Sequence, residues 1–155
     1  DQSNWGGGLV VDGAGGGEAL GQYYQKDEIA SDAPDGSVII VIATDAPLSD
    51  RNLKRLARRA FVGIARTGSP ITNGSGDYAV AFSTNEAVRR TPARREAAST
   101  IGELPNEMMS PLFQAAAEAT EGAVINSLFL SETMDGHRGR IEALPIEKVV
   151  QLSRD

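Results

Sequence analysis

The stretch APDGSVIIVIATDAP, residues 33–47, places a turn directly before a strongly apolar strand. Pro34, Asp35 and Gly36 are turn formers. The continuous apolar run over residues 38–42 predicts a strand that is buried on both faces. Neither the turn nor the strand requires Ser37, which lies between them. Ser37 either ends the turn as a small polar residue or is placed there as a nucleophile.

The composition is that of a soluble globular domain. A chain of 155 residues, 41% hydrophobic and 23% charged, can bury a core as one domain. The net charge of −6 argues against nucleic acid or an anionic membrane as a partner, because both attract clustered Lys and Arg. No apolar run approaches the roughly 20 residues of a membrane span. We expect a soluble protein of the cytoplasm or the periplasm, in which Asp1 is not the biological N-terminus.

Cysteine and histidine restrict the chemistry that this chain can support. It contains no cysteine, which excludes disulfides, thiol nucleophiles and thiolate metal sites. Its single histidine, His137, lies in the loop-like run DGHRGR, where a solvated side chain is the simplest interpretation. If the protein hydrolyses a substrate, we expect it to use neither a metal ion, nor an imidazole, nor a cofactor.

The remaining pattern indicates a mixed α and β domain. Ser49 or Asp50 is predicted to cap a helix that Gly68 ends. A second strand is predicted over residues 78–83, and a long helix over about 110–130. A short amphipathic helix closes the chain. These elements predict a buried sheet flanked by helices.

The peptide bond between Gly36 and Ser37 has the form of a self-cleavage site. The segment 30–36 reads as an exposed connector, and glycine leaves its own carbonyl open to attack by the following hydroxyl. Cleavage would give Ser37 a free α-amine, whose unperturbed pKa of about 7.7–8.0 makes it a usable base near neutral pH. Gly-Ser pairs also occur in ordinary turns, so the pair alone does not decide between the two interpretations.

Two further groups could serve such a nucleophile. Ser75 and Asp77 flank Gly76 before the second strand, where Ser75 could relay or orient a proton and Asp77 could hold a terminal amine. Their alternative is a capped turn. Asn4 precedes a glycine cluster, and its amide could donate to an oxyanion. Taken alone, Asn4 is a loop asparagine.

Five motifs of the chain form a recognisable set. Four of them are, in order, DGSVIIVIATDAPL, RRAFVGIARTGS, NGSGDYAVAFST and SPLFQAAAEATEGAVINSLFLSETM, and the fifth is QSNWGGGLVVDG. Together they resemble the DmpA family of self-processing L-aminopeptidase/D-esterase and β-aminopeptidase enzymes. The four resemble the family's C-terminal chain, from Ser37 to about Pro145, and the fifth resembles the end of its N-terminal chain. One departure is DGAGGGEALG, which has glycines where a bulkier run is typical.

The resemblance implies a fold, an activity and a set of site residues. The fold is α+β, a four-layer α-β-β-α sandwich like that of N-terminal-nucleophile hydrolases. Residues 1–36 would end the N-terminal chain and residues 37–155 would form the C-terminal chain, in one structural domain whose N-terminal part is missing. The family positions for the cut and nucleophile match Gly36 and Ser37. Those of the second serine, the acid and the oxyanion amide match Ser75, Asp77 and Asn4; the family tyrosine near the nucleophile is absent.

The same resemblance implies partners. The substrates would be short peptides, amides or esters that lose their N-terminal residue, in L, D or β-linked form. The missing N-terminal chain would be a further partner, and the processed pairs would form a homo-oligomer.

Two other functions fit parts of the sequence. An acyltransferase resembling ornithine acetyltransferase also cleaves itself but uses threonine, so Ser37 counts against it. A non-catalytic binding module, in which Ser37 only ends a turn, predicts an intact chain that does not react with serine-directed acylating agents.

Overall fold

A computed structural model describes residues 7–20, 36–137 and 139–154 of the chain. The elements are β1 (Val10–Val11), β2 (Ala14–Gly15), β3 (Ile39–Thr44), α1 (Asp50–Ala57), α2 (Ala60–Arg66), β4 (Tyr78–Ser83), α3 (Pro92–Glu96), α4 (Met109–Phe129), β5 (Met134–Gly136), β6 (Gly139–Ile141) and α5 (Ile146–Leu152). The second strand and the long helix are confirmed as β4 and α4. None of the helices in these three ranges is both long enough and apolar enough to cross a membrane.

The central sheet pairs β3 with β4 in parallel. Ile39 lies opposite Tyr78 at one end and Thr44 lies opposite Ser83 at the other. Parallel neighbours need a crossover connection, which α1 and α2 supply between the two strands. Both strands therefore begin at the same edge of the sheet.

Helices cover one face of this sheet. Ile42 points from β3 into a core formed by Leu48, Leu56, Met109 and Ala116. Behind this layer α2 packs closely on α4, since a Cβ on Gly63 would lie 2.4 Å from the carbonyl oxygen of Ala117. Residue 63 therefore has to be a glycine for the helices to approach this closely.

The opposite face of the sheet is open in the described structure. Ile39 is 73% exposed, Val41 64% and Tyr78 65%, whereas the alternate residues of both strands are half-buried. The prediction that β3 is buried on both faces is therefore wrong for the described residues, because the helices pack on one side only. A sheet with helices on one face and an apolar opposite face is half of an α-β-β-α sandwich.

The first helical segment differs from its prediction. A single helix was expected up to Gly68, but α1 ends at Ala57 and α2 begins at Ala60. The N–H of Arg59 donates to the carbonyl of Leu56, a three-residue spacing that tightens the chain between the helices. Ser49 occupies the N-cap position, but its hydroxyl donates to the carboxylate of Glu103 and caps no backbone N–H.

The glycine-rich segment 7–20 is hydrogen-bonded to the backbone just after α2. The N–H of Val10 donates to the carbonyl of Thr67 at 3.1 Å. Gly68 has a φ of +92°, and a Cβ on it would lie 1.6 Å from the carbonyl oxygen of Gly8. Leu9 is 2% exposed. Only glycine at position 68 permits this backbone approach.

Candidate active site

The parallel register brings the two polar turns of the sequence together. Ile39 and Tyr78 are paired, so the residues that precede them lie side by side at the amino-terminal edge of the sheet. The N–H of Tyr78 donates to the carbonyl of Val38 at 2.9 Å, so the backbone contact between the strands also includes Val38. Ser37 is therefore adjacent to the turn that contains Ser75 and Asp77.

The Ser37 side chain is exposed and is held by one backbone donor. The N–H of Gly76 donates to Ser37 Oγ at 3.0 Å. Because this bond uses a lone pair of the oxygen, the hydroxyl proton is left for transfer to a base. Ser37 thus combines access from solvent with a fixed oxygen position, as a nucleophile requires.

Ser75 contacts the peptide group that precedes Ser37. Its hydroxyl donates to the carbonyl oxygen of Gly36 at 3.1 Å. Its own backbone is held by the Thr72 carbonyl, which accepts from the Ser75 N–H at 3.0 Å. A donor in this position polarises the Gly36 carbonyl, whose carbon is the atom that Ser37 Oγ would attack.

The Asp77 carboxylate lies at the start of β3. Its Oδ1 accepts a hydrogen bond from the N–H of Val38 at 3.0 Å, in a half-buried position. Val38 directly follows Ser37, whose nitrogen becomes an amine if the preceding bond is cut. The carboxylate therefore contacts the backbone N–H of the residue next to the nitrogen that would need a counter-ion.

Gly76 is the site residue that sequence reasoning missed. Its N–H contacts the candidate nucleophile, and a Cβ on it would lie 3.3 Å from Ser37 Oγ. A signal was present in the sequence, because a glycine between Ser75 and Asp77 indicates close approach of the backbone to a neighbour.

Asn4 lies outside the described residues, so its position relative to Ser37 is not part of this geometry. Gly8, four residues further along the chain, lies in the segment that packs against Gly68. Within the described ranges, no group of three or more histidine, aspartate or glutamate side chains could hold a metal ion.

A cleft of about 480 Å³ lies between β3 and α4 and reaches Val38, the residue after Ser37. Small and apolar side chains line it, including Ile40, Ala123 and Val124. Ser37, Ser75 and Asp77 are not among its lining residues. We therefore place the candidate site at the edge of the sheet and not in this cleft.

Comparison with protein families gives one match over most of the chain. The model of peptidase family S58 matches residues 2–142. Two curated relatives are β-peptidyl aminopeptidases named BapA. The chain is 43% identical over 112 residues to that of Sphingosinicella microcystinivorans, covering 72% of this chain and 28% of the relative. It is 35% identical over 145 residues to that of Sphingosinicella xenopeptidilytica, covering 88% and 36%.

A solved structure shares the fold. The L-aminopeptidase D-Ala-esterase/amidase of Ochrobactrum anthropi, a prototype for the serine aminopeptidases, has a variant of the N-terminal-nucleophile hydrolase fold. It superposes with a TM-score of 0.80 at 32% identity, covering 96% of this chain and 39% of that one. The expected fold class is thereby confirmed. The chain spans between 28% and 39% of the lengths of these three relatives.

Proposed function

Because this chain belongs to peptidase family S58, the DmpA family, we propose that it carries the nucleophile of a self-processing serine aminopeptidase. The protein cuts itself between Gly36 and Ser37, and then removes N-terminal residues from short peptides, amides or esters. The observation that supports this most directly is the pair of contacts at that bond: Ser75 to the Gly36 carbonyl, and Gly76 to Ser37 Oγ.

Processing begins with attack by Ser37 Oγ on the carbonyl carbon of Gly36. The carbon–nitrogen bond breaks, a carbon–oxygen bond forms, and the hydroxyl proton passes to the nitrogen. The resulting ester is hydrolysed by water, which leaves a carboxylate on Gly36 and restores the Ser37 hydroxyl beside a free amine. During attack the Ser75 hydroxyl stabilises the negative charge that develops on the Gly36 oxygen, a role worth about 3–4 kcal/mol for one donor in a well-studied protease.

Turnover reuses the same hydroxyl with the new amine as the base. The amine accepts the Ser37 proton directly or through Ser75, and Oγ attacks the substrate carbonyl to give an acyl-enzyme. The protonated amine returns the proton to the leaving group, and water then releases the acyl residue. Asn4 and backbone N–H groups stabilise the tetrahedral oxyanion on the substrate carbonyl oxygen.

Asp77 acts on the amine. Its carboxylate already contacts the N–H of Val38 in the uncut chain. After the cut, the amine of Ser37 is positively charged when protonated, and an adjacent carboxylate favours that form. Asp77 thereby raises the pKa of the base and orients it toward the hydroxyl, or holds Ser75 for proton transfer. No cofactor takes part in these steps.

The remainder of the protein completes the site. The cut places Gly36 at the end of one processed chain and Ser37 at the start of the other, within one structural domain. The exposed face that includes Ile39 and Val41 accepts the second sheet of the sandwich from the part of the enzyme that precedes these residues. Processed pairs then assemble into a homo-oligomer.

Active-site labelling tests this function. The full-length protein is treated with a serine-directed sulfonyl fluoride, digested and mapped by mass spectrometry. The expected adduct is on Ser37, accompanied by loss of aminoacyl p-nitroanilide hydrolysis. Ser49→Ala is the control, since its hydroxyl contacts Glu103 and not the site. An adduct on another residue, or turnover in Ser37→Ala, would contradict the assignment.

A further inference from the structure

Ile71 has a backbone conformation that isoleucine normally avoids. Its φ is +50°, in the left-handed region, where a β-branched side chain is a genuine outlier. It also follows Pro70, and a residue with positive φ that follows proline in a turn is normally glycine. The side chain of Ile71 therefore strains its own backbone.

Asp12 is the other non-glycine residue with a positive φ among the described residues, and its conformation has an ordinary cause. Val11 is paired with Ala14, so Asp12 and Gly13 form the two-residue turn of a hairpin. Both have the positive φ that such a turn requires, and aspartate tolerates it. The hairpin thus explains Asp12, and Ile71 needs a different explanation.

Packing does not explain why residue 71 is an isoleucine. Its side chain is 38% exposed and is not part of the core around Leu48 and Leu56. Glycine or asparagine would fit this φ with less strain. A strained residue persists only where its surroundings fix the backbone, and such residues cluster at functional sites.

Contacts on both sides fix the backbone of Ile71. Before it, Ser69 is buried, and its hydroxyl accepts from the Ile71 N–H at 3.4 Å. After it, the Thr72 carbonyl accepts from the Ser75 N–H at 3.0 Å. The hydroxyl of Ser75 in turn donates to the Gly36 carbonyl. This series of contacts runs from Ile71 to the peptide group that self-cleavage would break.

We propose that Ile71 is a positioning residue for self-cleavage: its backbone strain is held in the uncut chain by the contact of Ser75 with Gly36, and is released when that carbonyl is attacked. Attack makes the carbonyl carbon tetrahedral, so its oxygen moves, and the Ser75 hydroxyl that donates to it moves as well. The backbone of Ile71 then relaxes. The strain raises the free energy of the uncut chain more than that of the transition state, and so accelerates the cut. The proposal rests on the proposed function of Ser37.

Self-cleavage rates of full-length variants test the proposal, each measured as loss of precursor after cell-free synthesis. Ile71→Asn removes the strain, because asparagine tolerates a positive φ. We expect it to cleave about tenfold more slowly, the effect of a left-handed penalty that is fully released in the transition state. Ile71→Val keeps a β-branched side chain, and with it the strain and a rate close to that of the wild-type protein.

Asp12→Gly is the matched control, because it changes the other non-glycine residue with a φ of +50°, outside the series of contacts. It is expected to cleave at the wild-type rate. The melting temperature of uncleavable Ser37→Ala, with and without Ile71→Asn, separates release of strain from damage to the fold. Ile71→Asn is expected to raise this temperature, since the uncut chain then holds one strained residue fewer.

The outcomes separate this inference from the function beneath it. Cleavage of Ile71→Asn at the wild-type rate, or slower cleavage without a rise in the melting temperature, would overturn the inference alone. Equal slowing in Ile71→Val or in Asp12→Gly would do the same, because neither variant removes the strain at residue 71. A folded wild-type protein that remains uncut overturns the proposed function itself.

Discussion

The hydroxyl of Ser75 donates a hydrogen bond of 3.1 Å to the carbonyl oxygen of Gly36, the residue that precedes the candidate nucleophile. In the proposed self-cleavage this oxygen would gain negative charge when Ser37 attacks its carbon, so we expect the contact to strengthen along that reaction.

Ser75→Ala is expected to slow self-cleavage by roughly a hundred- to a thousandfold, the usual effect of removing one oxyanion donor. The variant still folds, since the backbone bond from the Ser75 N–H to the Thr72 carbonyl is unchanged. The measurement is the time course of precursor disappearance on denaturing gels after synthesis in a cell-free system. Processing at the wild-type rate would show that the Ser75 hydroxyl has no part in the cut.

Asp77→Asn is expected to move the pH profile of turnover. Removing a negative neighbour lowers the pKa of the Ser37 amine. The amine is then unprotonated, and active as a base, at lower pH, so the acidic limb of kcat/KM shifts to lower pH. The asparagine oxygen can still accept from the Val38 N–H, which preserves the strand entry.

The control for this profile is Asp45→Asn, an exposed carboxylate beyond the opposite end of β3. Its profile should coincide with that of the wild-type enzyme. If the pH profile of Asp77→Asn coincided with that of the wild-type enzyme, the carboxylate would only stabilise the turn and would not act on the Ser37 amine.

Gly68→Ala is expected to destabilise the protein by more than Gly13→Ala. Both glycines have positive φ, which costs an alanine about 1–2 kcal/mol. Only at Gly68 would the new methyl also meet the Gly8 carbonyl, whereas nothing lies within 4 Å of a Cβ on Gly13. Denaturant unfolding of the two variants measures the difference. Equal free energies of unfolding would show that the approach of Gly8 to Gly68 relaxes without cost.

Activity is expected to survive strong chelators. The chain has no cysteine and a single histidine, and the proposed proton transfers use only a serine hydroxyl and an amine. The measurement is turnover after prolonged dialysis against EDTA. Loss of turnover that zinc or manganese restores would place a metal ion in the mechanism.

The two strands of the sheet were largely predictable from sequence. The apolar runs that became β3 and β4 have the length and the apolar character of strands, and the turn residues before Ser37 and Tyr78 mark where they begin. The parallel pairing that makes the two turns neighbours comes from the structure. The Ala-rich α4 was predicted with its ends displaced by one residue.

Other features depend on tertiary contacts that local patterns do not encode. The interruption between α1 and α2 occurs where Arg59 stacks on Phe113, with its guanidinium carbon 4.4 Å from the ring centre. The open face of β3 is a second feature that local sequence patterns do not determine. Its apolar residues predict a covering layer but do not identify the segment that provides it.

The intact mass of the full-length protein under denaturing conditions shows whether the bond before Ser37 is cut. We expect two polypeptides whose masses place the break between Gly36 and Ser37, and a single uncut chain for Ser37→Ala purified in the same way. A folded wild-type protein that remains one uncut chain, or a Ser37→Ala protein that is cut at the same bond, would contradict it.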